Sequence, residues 1–251
     1  MNLAGKKVVI TGSGRRVGSE LARSFAAKGA RVVIHCRNSE NEARALFREI
    51  GGQASGHELF VCDLADRKRL EESAPAMLAD ASVLINNASE YTRRLLADET
   101  PEEIQRQMTV NFFAPVLLMR LFARYGKRPG AIINLLDQAV CRPDQYSFSY
   151  GLSKKSLADA TRAAALQLAP EIRVNGLAPG PVLPPADLPH SKMEKTLRSV
   201  PLHRPVALQD LCAGAVFLAE NESVTGTVLF IDCGQSLGMI PEPIRSRQAD
   251  D

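Results

Sequence analysis

Three side chains in the middle of the chain have types and spacing that suit proton transfer. Lys154 follows Tyr150 by four residues, and Asp137 precedes the tyrosine by 13. Residues four apart lie on one face of a helix, so the phenol and the ammonium can reach one small volume. The phenol has an ordinary pKa of about 10, and we expect the ammonium to lower it by favouring the phenolate. Asp137 adds a carboxylate that can relay a proton, and the alternative is that it is a helix-capping or loop acid.

The sequence pattern predicts an α/β fold, which would position these three side chains. Short runs rich in β-branched residues alternate with longer helical patterns, which is typical of βαβ units on a parallel sheet. The predicted strands cover residues 7–11, 31–36, 57–62, 82–86, 130–136, 172–177 and 227–232. The predicted helices begin near Arg16, Ser39, Asp66, Pro101, Ser147 and Leu208. We therefore expect a single-domain, Rossmann-like, doubly wound parallel sheet of about seven strands with helices on both faces, spanning residues 1–251.

Composition and charge narrow the class of protein further. The 251 residues are 45% hydrophobic, and 31 basic against 28 acidic residues give a formal net charge of +3, so we expect no nucleic-acid partner. Five cysteines without a CxxC pair favour a reducing cytoplasm and no metal centre. The sequence has neither a signal-type apolar run nor an apolar stretch long enough to span a bilayer. We therefore expect a cytoplasmic protein without a membrane partner.

Two segments towards the C-terminal end break the alternating pattern. Residues 180–206 carry several prolines and are too long for a plain connection, so we interpret them as a substrate loop in which Leu183 lines the pocket. Residues 241–251 are polar and proline-bearing, and they predict either a loose tail or an oligomer contact.

A glycine-rich turn follows the first predicted strand and opens a helix. Its predicted ligand contacts are Gly12, Gly14, Arg15, Arg16, Val17 and Gly18. Backbone N–H groups and the N-terminus of a helix can hold a pyrophosphate at such a turn. The turn therefore predicts a dinucleotide site, and the alternative is a tight strand-to-helix connection without a ligand.

The end of the second predicted strand indicates which dinucleotide would bind. Proteins that bind NAD usually place an acid there, which accepts from the ribose 2′-hydroxyl. The predicted contacts in this chain are instead His35, Arg37, Asn38 and Ser39. The guanidinium of Arg37 suits a 2′-phosphate, and Arg15 or Arg16 can reach it from the glycine turn. We therefore predict NADPH rather than NADH as the cofactor, unless Arg37 is only a solvated surface charge.

The motifs occur together in the order of a known family. In chain order they are the Thr-Gly-x-x-x-Arg-x-Gly turn, Asn86-Asn87-Ala88, Asn111, Tyr150 and Lys154. From about Lys6 to Leu237, the chain resembles the short-chain dehydrogenase/reductase family. Arg16 departs from that family's pattern, because most members carry a glycine there.

The resemblance also implies roles for residues other than Asp137, Tyr150 and Lys154. It implies that Asp63 accepts from the adenine amine while Leu64 packs on the ring. It also implies that Asn111 holds a helix open for a proton-relay water, although Asn111 could be a plain helix-bending residue. The further cofactor contacts are Asn87, Ala88, Ser89, Pro179 and Gly180, together with Tyr150 and Lys154, whose long stem can reach ribose hydroxyls. The same resemblance implies a homotetramer.

A second departure from the family narrows the substrate. Most members have a serine where this chain has Asp137, and a carboxylate opposes the negative charge of a developing alkoxide. A C=N bond instead needs a proton on nitrogen, which an aspartate can help to deliver. With Asp137, Tyr150 and Lys154, the chain resembles the pteridine reductase and dihydromonapterin reductase branch. That resemblance implies NADPH-dependent reduction of a pterin or folate by hydride transfer to a ring C=N.

The predicted site includes an aromatic side chain that would stack on a flat ring. Tyr91 lies where the branch has that aromatic, although it could be an ordinary loop residue. The predicted substrate contacts are Arg16, Ser89, Tyr91, Asp137, Tyr150 and Leu183, and the predicted catalytic residues are Asn111, Asp137, Tyr150 and Lys154. Two other functions stay open: a carbonyl or 3-oxoacyl thioester reductase of the same family, and a non-catalytic NADP(H)-binding sensor. Asp137 is unfavourable for the first, and the complete catalytic set argues against the second.

Overall fold

The computed structural model describes residues 1–144, 146–183, 197 and 200–238. Within these residues, seven parallel strands form one sheet in the order β3-β2-β1-β4-β5-β6-β7. The strands are β1 Lys7–Ile10, β2 Arg31–Cys36, β3 Glu58–Val61, β4 Ala81–Asn86, β5 Gly130–Leu135, β6 Ile172–Pro179 and β7 Val228–Ile231. The α-helices in this part of the chain are α1 Arg16–Ala27, α2 Glu40–Glu49, α3 Arg67–Leu78, α4 Pro101–Met108, α5 Ala114–Tyr125, α6 Phe148–Leu168 and α7 Leu208–Glu220. The predicted Rossmann-like α/β fold is confirmed.

Burial on both faces explains why the strands are almost continuously apolar. Every residue of β4 is buried. In β1, Val8 packs in the same core cluster as Phe25 of α1, whereas its neighbour Val9 packs in the cluster that holds Phe122 of α5. Because successive side chains of a strand point to opposite faces, the helices must cover both sides of the sheet.

The order of the strands places a cleft at one edge of the sheet. The chain runs outwards from β1 through β2 to β3, and then returns to pair β4 with the other side of β1. In open α/β sheets, ligands bind outside the carboxyl ends of the strands where the strand order reverses. The glycine turn after β1 and the Asn87 loop after β4 therefore lie side by side at this point, and the end of β5 brings Asp137 to the same edge of the sheet.

The helix that carries Asn111 is irregular. Thr100 caps the start of α4 through a reciprocal pair of hydrogen bonds with Glu103. The helix then passes through a π-helical segment, Thr109–Phe113, and continues as α5. We did not predict α5 as a separate helix, because its apolar pattern runs on from α4 without a turn signal.

Two predicted segments in the C-terminal third lie partly or wholly outside the described residues. The predicted substrate loop is described only at 180–183, 197 and 200–206, and the predicted tail at 241–251 lies wholly outside the described residues. In the part that is described, no helix has both the length and the apolar character needed to cross a membrane.

Candidate active site

A cleft of about 740 Å³ opens at the carboxyl edge of the sheet. The predicted site residues that line it are Gly12, Arg15, Arg16, Val17, Gly18, His35, Arg37, Asn38, Ser39, Asp63, Leu64, Asn87, Ala88, Ser89, Tyr91, Asp137, Tyr150, Pro179, Gly180 and Leu183. The other three, Gly14, Asn111 and Lys154, are buried. Residues separated by more than 100 positions in the sequence therefore border one space.

Asp137 uses its two carboxylate oxygens for different partners. The hydroxyl of Tyr150 donates to Oδ2 at 2.9 Å. The backbone N–H of Ala139 donates to Oδ1 at 2.7 Å, so that Asp137 also caps the short 3₁₀ turn Gln138–Cys141. The capping role and the contact with the phenol are therefore both present, one on each oxygen.

The pKa of Tyr150 is raised well above its ordinary value. Burial is the main cause, and the charge and hydrogen bond of Asp137 add to it, because both favour the neutral phenol. The ammonium of Lys154 donates instead to the carbonyl of Leu135 at 2.8 Å and lies 5.8 Å from the centre of the Tyr150 ring. The expected lowering of this pKa is therefore wrong for the protein's own groups, because burial and the Asp137 carboxylate together raise it.

The other two ionisable groups of this trio are also displaced towards their neutral forms. Burial raises the pKa of Asp137, against the opposing effects of the Ala139 N–H, the Tyr150 hydroxyl and the Lys154 charge. Burial lowers the pKa of Lys154 to about 8, although the charge of Asp137 acts in the other direction. Burial thus shifts the pKa of both groups in the direction that favours the neutral form.

The ring of Tyr91 lines the cleft beside the phenol of Tyr150. Its ring meets that of Tyr150 edge to face, with 4.9 Å between the ring centres. Ser147 fixes the other end of Tyr91, because its hydroxyl donates to the Tyr91 hydroxyl at 3.1 Å. Half of the Tyr91 surface stays exposed to the cleft and to solvent.

Asn111 is fully buried and holds the loop that carries Tyr91. Its Nδ2 donates to the carbonyl of Glu90 at 2.8 Å and to Oγ of Ser153 at 3.2 Å. Its Oδ1 accepts from the N–H of Glu90 at 2.8 Å and from the hydroxyl of Ser89 at 3.1 Å. These contacts make Asn111 a link between the π-helical segment and the loop after β4, and its part in a proton relay stays a prediction.

The glycine turn is compact, and one of its residues is conformationally unusual. A Cβ on Gly18 would lie 2.2 Å from the carbonyl oxygen of Gly12, so only glycine fits there. Arg16 adopts a φ of 54°, in the left-handed region that glycine favours. It does so at the place where most members of the family it resembles have a glycine.

The N-terminus of α1 is suited to an anion. Among the described residues, no side chain caps this helix, and its first turn contains no acid. By contrast, Asp66 caps α3 and Thr100 caps α4. The first turn of α1 therefore lies beside Arg15 and Arg16 without an acid or a side-chain cap among the described residues, which fits the phosphates of a dinucleotide.

His35 supports this turn from behind. The N–H of Gly12 donates to its Nδ1 at 3.0 Å, and its Nε2 lies 3.0 Å from the carbonyl of Cys62, to which it donates. Burial lowers the pKa of His35 to about 4, so the ring is neutral at pH 7. Although His35 lines the cleft, both of its ring nitrogens are engaged by the backbone, and its ring shapes the turn.

Asn87 holds the same turn from the other side, where its Nδ2 donates to the carbonyl of Thr11 at 2.9 Å.

Arg106 and Glu90 lie at the far end of the cleft, and neither was predicted from the sequence as a site residue. Arg106 of α4 donates to both carboxylate oxygens of Asp63 at 3.1 Å each, and to Glu90 at 3.0 and 2.7 Å. Arg37 also donates to Glu90. Asp63 therefore contacts Arg106 in this structure, in addition to the adenine contact that the resemblance implies. Glu90 precedes Tyr91 directly, but no spacing pattern connects it with Arg106.

A buried carboxylate near the catalytic helix was also missed. Glu99 accepts from Nε2 of Gln107 at 2.8 Å and from the hydroxyl of Ser149 at 2.7 Å. The other end of Gln107 accepts from the N–H of Thr92 at 3.3 Å. No local pattern marks these residues, because they belong to separate segments of the chain.

Comparison with known proteins gives matches over most of the chain. A family model described as Enoyl-(Acyl carrier protein) reductase matches residues 12–236. The 3beta-hydroxysteroid dehydrogenase 1 of Eggerthella lenta is 32% identical over 94% of this chain and 95% of its own length. The 3-oxoacyl-[acyl-carrier-protein] reductase of Bos taurus is 31% identical over 93% of this chain and 99% of its own length.

A solved structure shares both the fold and part of the sequence. The FolM alternative dihydrofolate reductase 1 from Brucella canis, complexed with NADP, superposes with a TM-score of 0.88 and 31% identity, over 97% of this chain and 98% of that one. The family match runs from the glycine turn past the pair of Tyr150 and Lys154. The chain belongs to the short-chain dehydrogenase/reductase family.

Proposed function

We propose that this protein is an NADPH-dependent pteridine reductase that transfers a hydride to a ring C=N of an oxidised pterin, a dihydropterin or a dihydrofolate. The observation that carries the proposal is the 2.9 Å contact between the Tyr150 hydroxyl and Asp137, at the place where most family members have serine. The Brucella canis structure, an NADP complex of an alternative dihydrofolate reductase, supports both the cofactor and the substrate class.

Under this proposal, Asp137 favours a C=N bond over a carbonyl as the substrate. Reduction of a carbonyl builds negative charge on oxygen, which a neighbouring carboxylate destabilises. Reduction of a C=N bond requires a proton on nitrogen, which a carboxyl group can supply. Because burial raises the pKa of Asp137, the protonated acid is more populated than it would be in water.

The protein's own groups can deliver that proton over a short path. NADPH, when bound, supplies the hydride. When Asp137 is protonated, its carboxyl donates to the Tyr150 oxygen across the same 2.9 Å, and Tyr150 gives its own hydroxyl proton to the ring nitrogen while it takes the proton of Asp137. The phenol thereby avoids ionising, which its raised pKa would resist. Asp137 ends the step as a carboxylate and recovers a proton from solvent in the cleft.

The cofactor would lie along the cleft with its phosphates at the N-terminus of α1. Arg37 would face the 2′-phosphate, and Lys154 would hold ribose hydroxyls and keep a positive charge near the phenol. The further proposed contacts are Asp63 and Leu64 for adenine, Asn87, Ala88 and Ser89 along the channel, and Pro179 and Gly180 for the carboxamide.

A flat heterocycle fits the wall formed by the two tyrosines. Tyr91 would stack on the ring, because its position is fixed by Ser147 and half of its surface is exposed. Ser89, Arg16 and Leu183 would contact the remaining edges, since all three line the same cleft.

The first alternative is a carbonyl or 3-oxoacyl thioester reductase. The similarity to the bovine 3-oxoacyl-[acyl-carrier-protein] reductase favours it. Asp137 disfavours it, for the electrostatic reason given above. The second alternative, a dinucleotide sensor without catalysis, predicts no oxidation of NADPH with any acceptor.

We also propose that the protein is a cytoplasmic homotetramer. Its helices carry apolar side chains that a monomer leaves in water: Phe113 is 58% exposed and Leu166 is 83% exposed. Size-exclusion chromatography with light scattering tests the assembly, and a monomer at micromolar concentration would contradict it.

The decisive experiment follows NADPH oxidation by absorbance. The substrates are dihydrobiopterin, dihydromonapterin, dihydrofolate and acetoacetyl thioester, each given to the wild type and to Asp137→Ser. We expect pterin turnover to fall by about 10²-fold or more in the variant. Asp159→Ser is the matched control, because it removes an exposed carboxylate of α6 that pairs with Arg162. Turnover of the thioester alone, with Asp137→Ser equal or better, would identify a carbonyl reductase instead.

A further inference from the structure

Four charged residues from four segments meet at one end of the cleft. Arg37 follows β2, Asp63 follows β3, Glu90 follows β4, and Arg106 belongs to α4. We call them the acid–arginine cluster. Each is between about a quarter and two fifths exposed, so the cluster is a wall of the cleft and is not part of the core.

Within this cluster, Glu90 is shared by two guanidinium groups. It accepts from Arg106 at 3.0 and 2.7 Å and from Nη1 of Arg37. Arg106 also holds Asp63 through two further hydrogen bonds, whereas Nη1 of Arg37 lies 4.0 Å from Asp63. Glu90 is therefore the principal counter-ion of Arg37 among the described residues, and Arg106 keeps Glu90 in place.

The carboxylate of Glu90 is ionised at neutral pH. Burial alone would raise its pKa, but the hydrogen bonds and charges of Arg106 and Arg37 outweigh that effect and lower it. The backbone of Glu90 is also fixed, because the fully buried Asn111 binds both its N–H and its carbonyl. A fixed negative charge thus contacts the arginine that, under the proposed function, receives the 2′-phosphate.

We propose that Glu90 determines cofactor specificity, because its carboxylate competes with the 2′-phosphate of NADP(H) for Arg37. The inference rests on the proposed function, which assigns that phosphate to Arg37. An acid at this end of the cleft also resembles, in chemical terms, the acid that accepts from the ribose 2′-hydroxyl in proteins that bind NAD. Glu90 therefore lowers the preference for NADP(H) over NAD(H), although the end of β2 has no acid of its own.

The test measures binding to the full chain without any turnover. Isothermal titration gives the Kd of NADP⁺ and NAD⁺, and of the fragments 2′,5′-ADP and 5′-AMP, which differ only in the 2′-phosphate. For Glu90→Gln, we expect NADP⁺ and 2′,5′-ADP to bind about three- to tenfold more tightly, since the variant removes both a competing ion pair and a like charge. NAD⁺ and 5′-AMP should bind equally or more weakly.

Two further variants make the result specific. Glu49→Gln is the matched control, because it removes an exposed carboxylate that two hydrogen bonds join to Arg23. It should leave all four dissociation constants within about twofold. Glu90→Asp keeps the charge but shortens its reach towards Arg37, and its affinity for NADP⁺ should lie between those of the wild type and Glu90→Gln. Thermal unfolding of each variant checks that it is folded.

The possible outcomes distinguish failure of this inference from failure of the proposed function on which it rests. If the wild type binds NADP⁺ and Glu90→Gln binds it no more tightly, Glu90 does not compete for Arg37 and the inference fails while the proposed function stands. Equal tightening of NADP⁺ and NAD⁺ also overturns it, because the effect would then not depend on the 2′-phosphate. A wild type that binds neither nucleotide overturns both.

Discussion

The carboxylate of Glu99 accepts a 2.7 Å hydrogen bond from the hydroxyl of Ser149, the residue that precedes Tyr150 in α6. Through Gln107, the same carboxylate reaches the N–H of Thr92, the residue that follows Tyr91. Tyr91 and Tyr150, whose rings contact each other edge to face beside the candidate substrate site, are thus also joined by one buried polar chain. Because buried polar groups are costly to leave unpaired, this chain of hydrogen bonds should fix the distance between the two tyrosine rings.

A reciprocal exchange tests this chain. Glu99→Gln places an amide donor against the donor of Gln107, and we expect it to lower the free energy of unfolding by about 1–3 kcal/mol. Adding Gln107→Glu restores a donor opposite an acceptor at every contact, so the double variant should recover most of that loss in urea unfolding. Glu102→Gln, in the exposed first turn of α4, is the control for the loss of one charge. Single effects that simply add in the double variant would show that the two side chains are not coupled.

The proton-relay proposal predicts a separation of catalysis from binding in Tyr150→Phe. The variant removes the donor to Asp137 but keeps the ring, so kcat should fall by about 10²- to 10⁴-fold while the Kd of NADP⁺ changes little. Tyr146→Phe is the matched control, because Tyr146 is an exposed tyrosine whose ring lies 4.3 Å from the guanidinium carbon of Arg93. A Tyr150→Phe variant that keeps a tenth of the wild-type kcat would exclude the phenol as the proton donor.

The sequence allows most of the scaffold to be predicted because each strand is a local pattern. The run from Arg31 to Cys36 forms β2 with the predicted bounds, and the other strands differ by only one or two residues at their ends. Loops at the carboxyl ends of neighbouring parallel strands must converge, so their residues could be placed at one cleft. Strand and helix patterns therefore give the position of the site before any distance is known.

Partners that lie far apart in the sequence could not be predicted in this way. Arg106 and Asp63 are 43 residues apart, and Glu99 and Ser149 are 50 apart. Their pairing depends on how α4 packs beside the ends of the strands. The predicted direction of the Tyr150 pKa shift was wrong because the helical spacing shows Lys154 nearby but does not show burial, which is the main cause of the raised pKa; the Asp137 carboxylate at 2.9 Å adds to it.

Arg16 provides a prediction about backbone strain. Its φ of 54° should favour glycine over any other residue by about 1 kcal/mol. Arg16→Gly and Arg16→Ala both remove the side chain, so the difference between them isolates the backbone. We expect the glycine variant to be the more stable by about 1 kcal/mol in urea unfolding, and both variants to bind NADP⁺ more weakly than the wild type. Equal stability of the two variants would mean that the turn relaxes away from the left-handed conformation.

Lys154 makes stability depend on pH in the alkaline range. Its pKa is about 8 in the folded protein against 10.5 ordinarily, so between these values the unfolded chain binds more protons. The contribution of Lys154 to stability therefore rises with pH across this window, by about 1.4 kcal/mol per pH unit at most, because folding no longer buries an ammonium. Lys154→Met should lose this rise, whereas Lys155→Met, one position along the helix, should keep it. The measurement is urea unfolding from pH 7.5 to 10.5, and parallel curves for the wild type and Lys154→Met would show that the buried amine keeps its ordinary pKa.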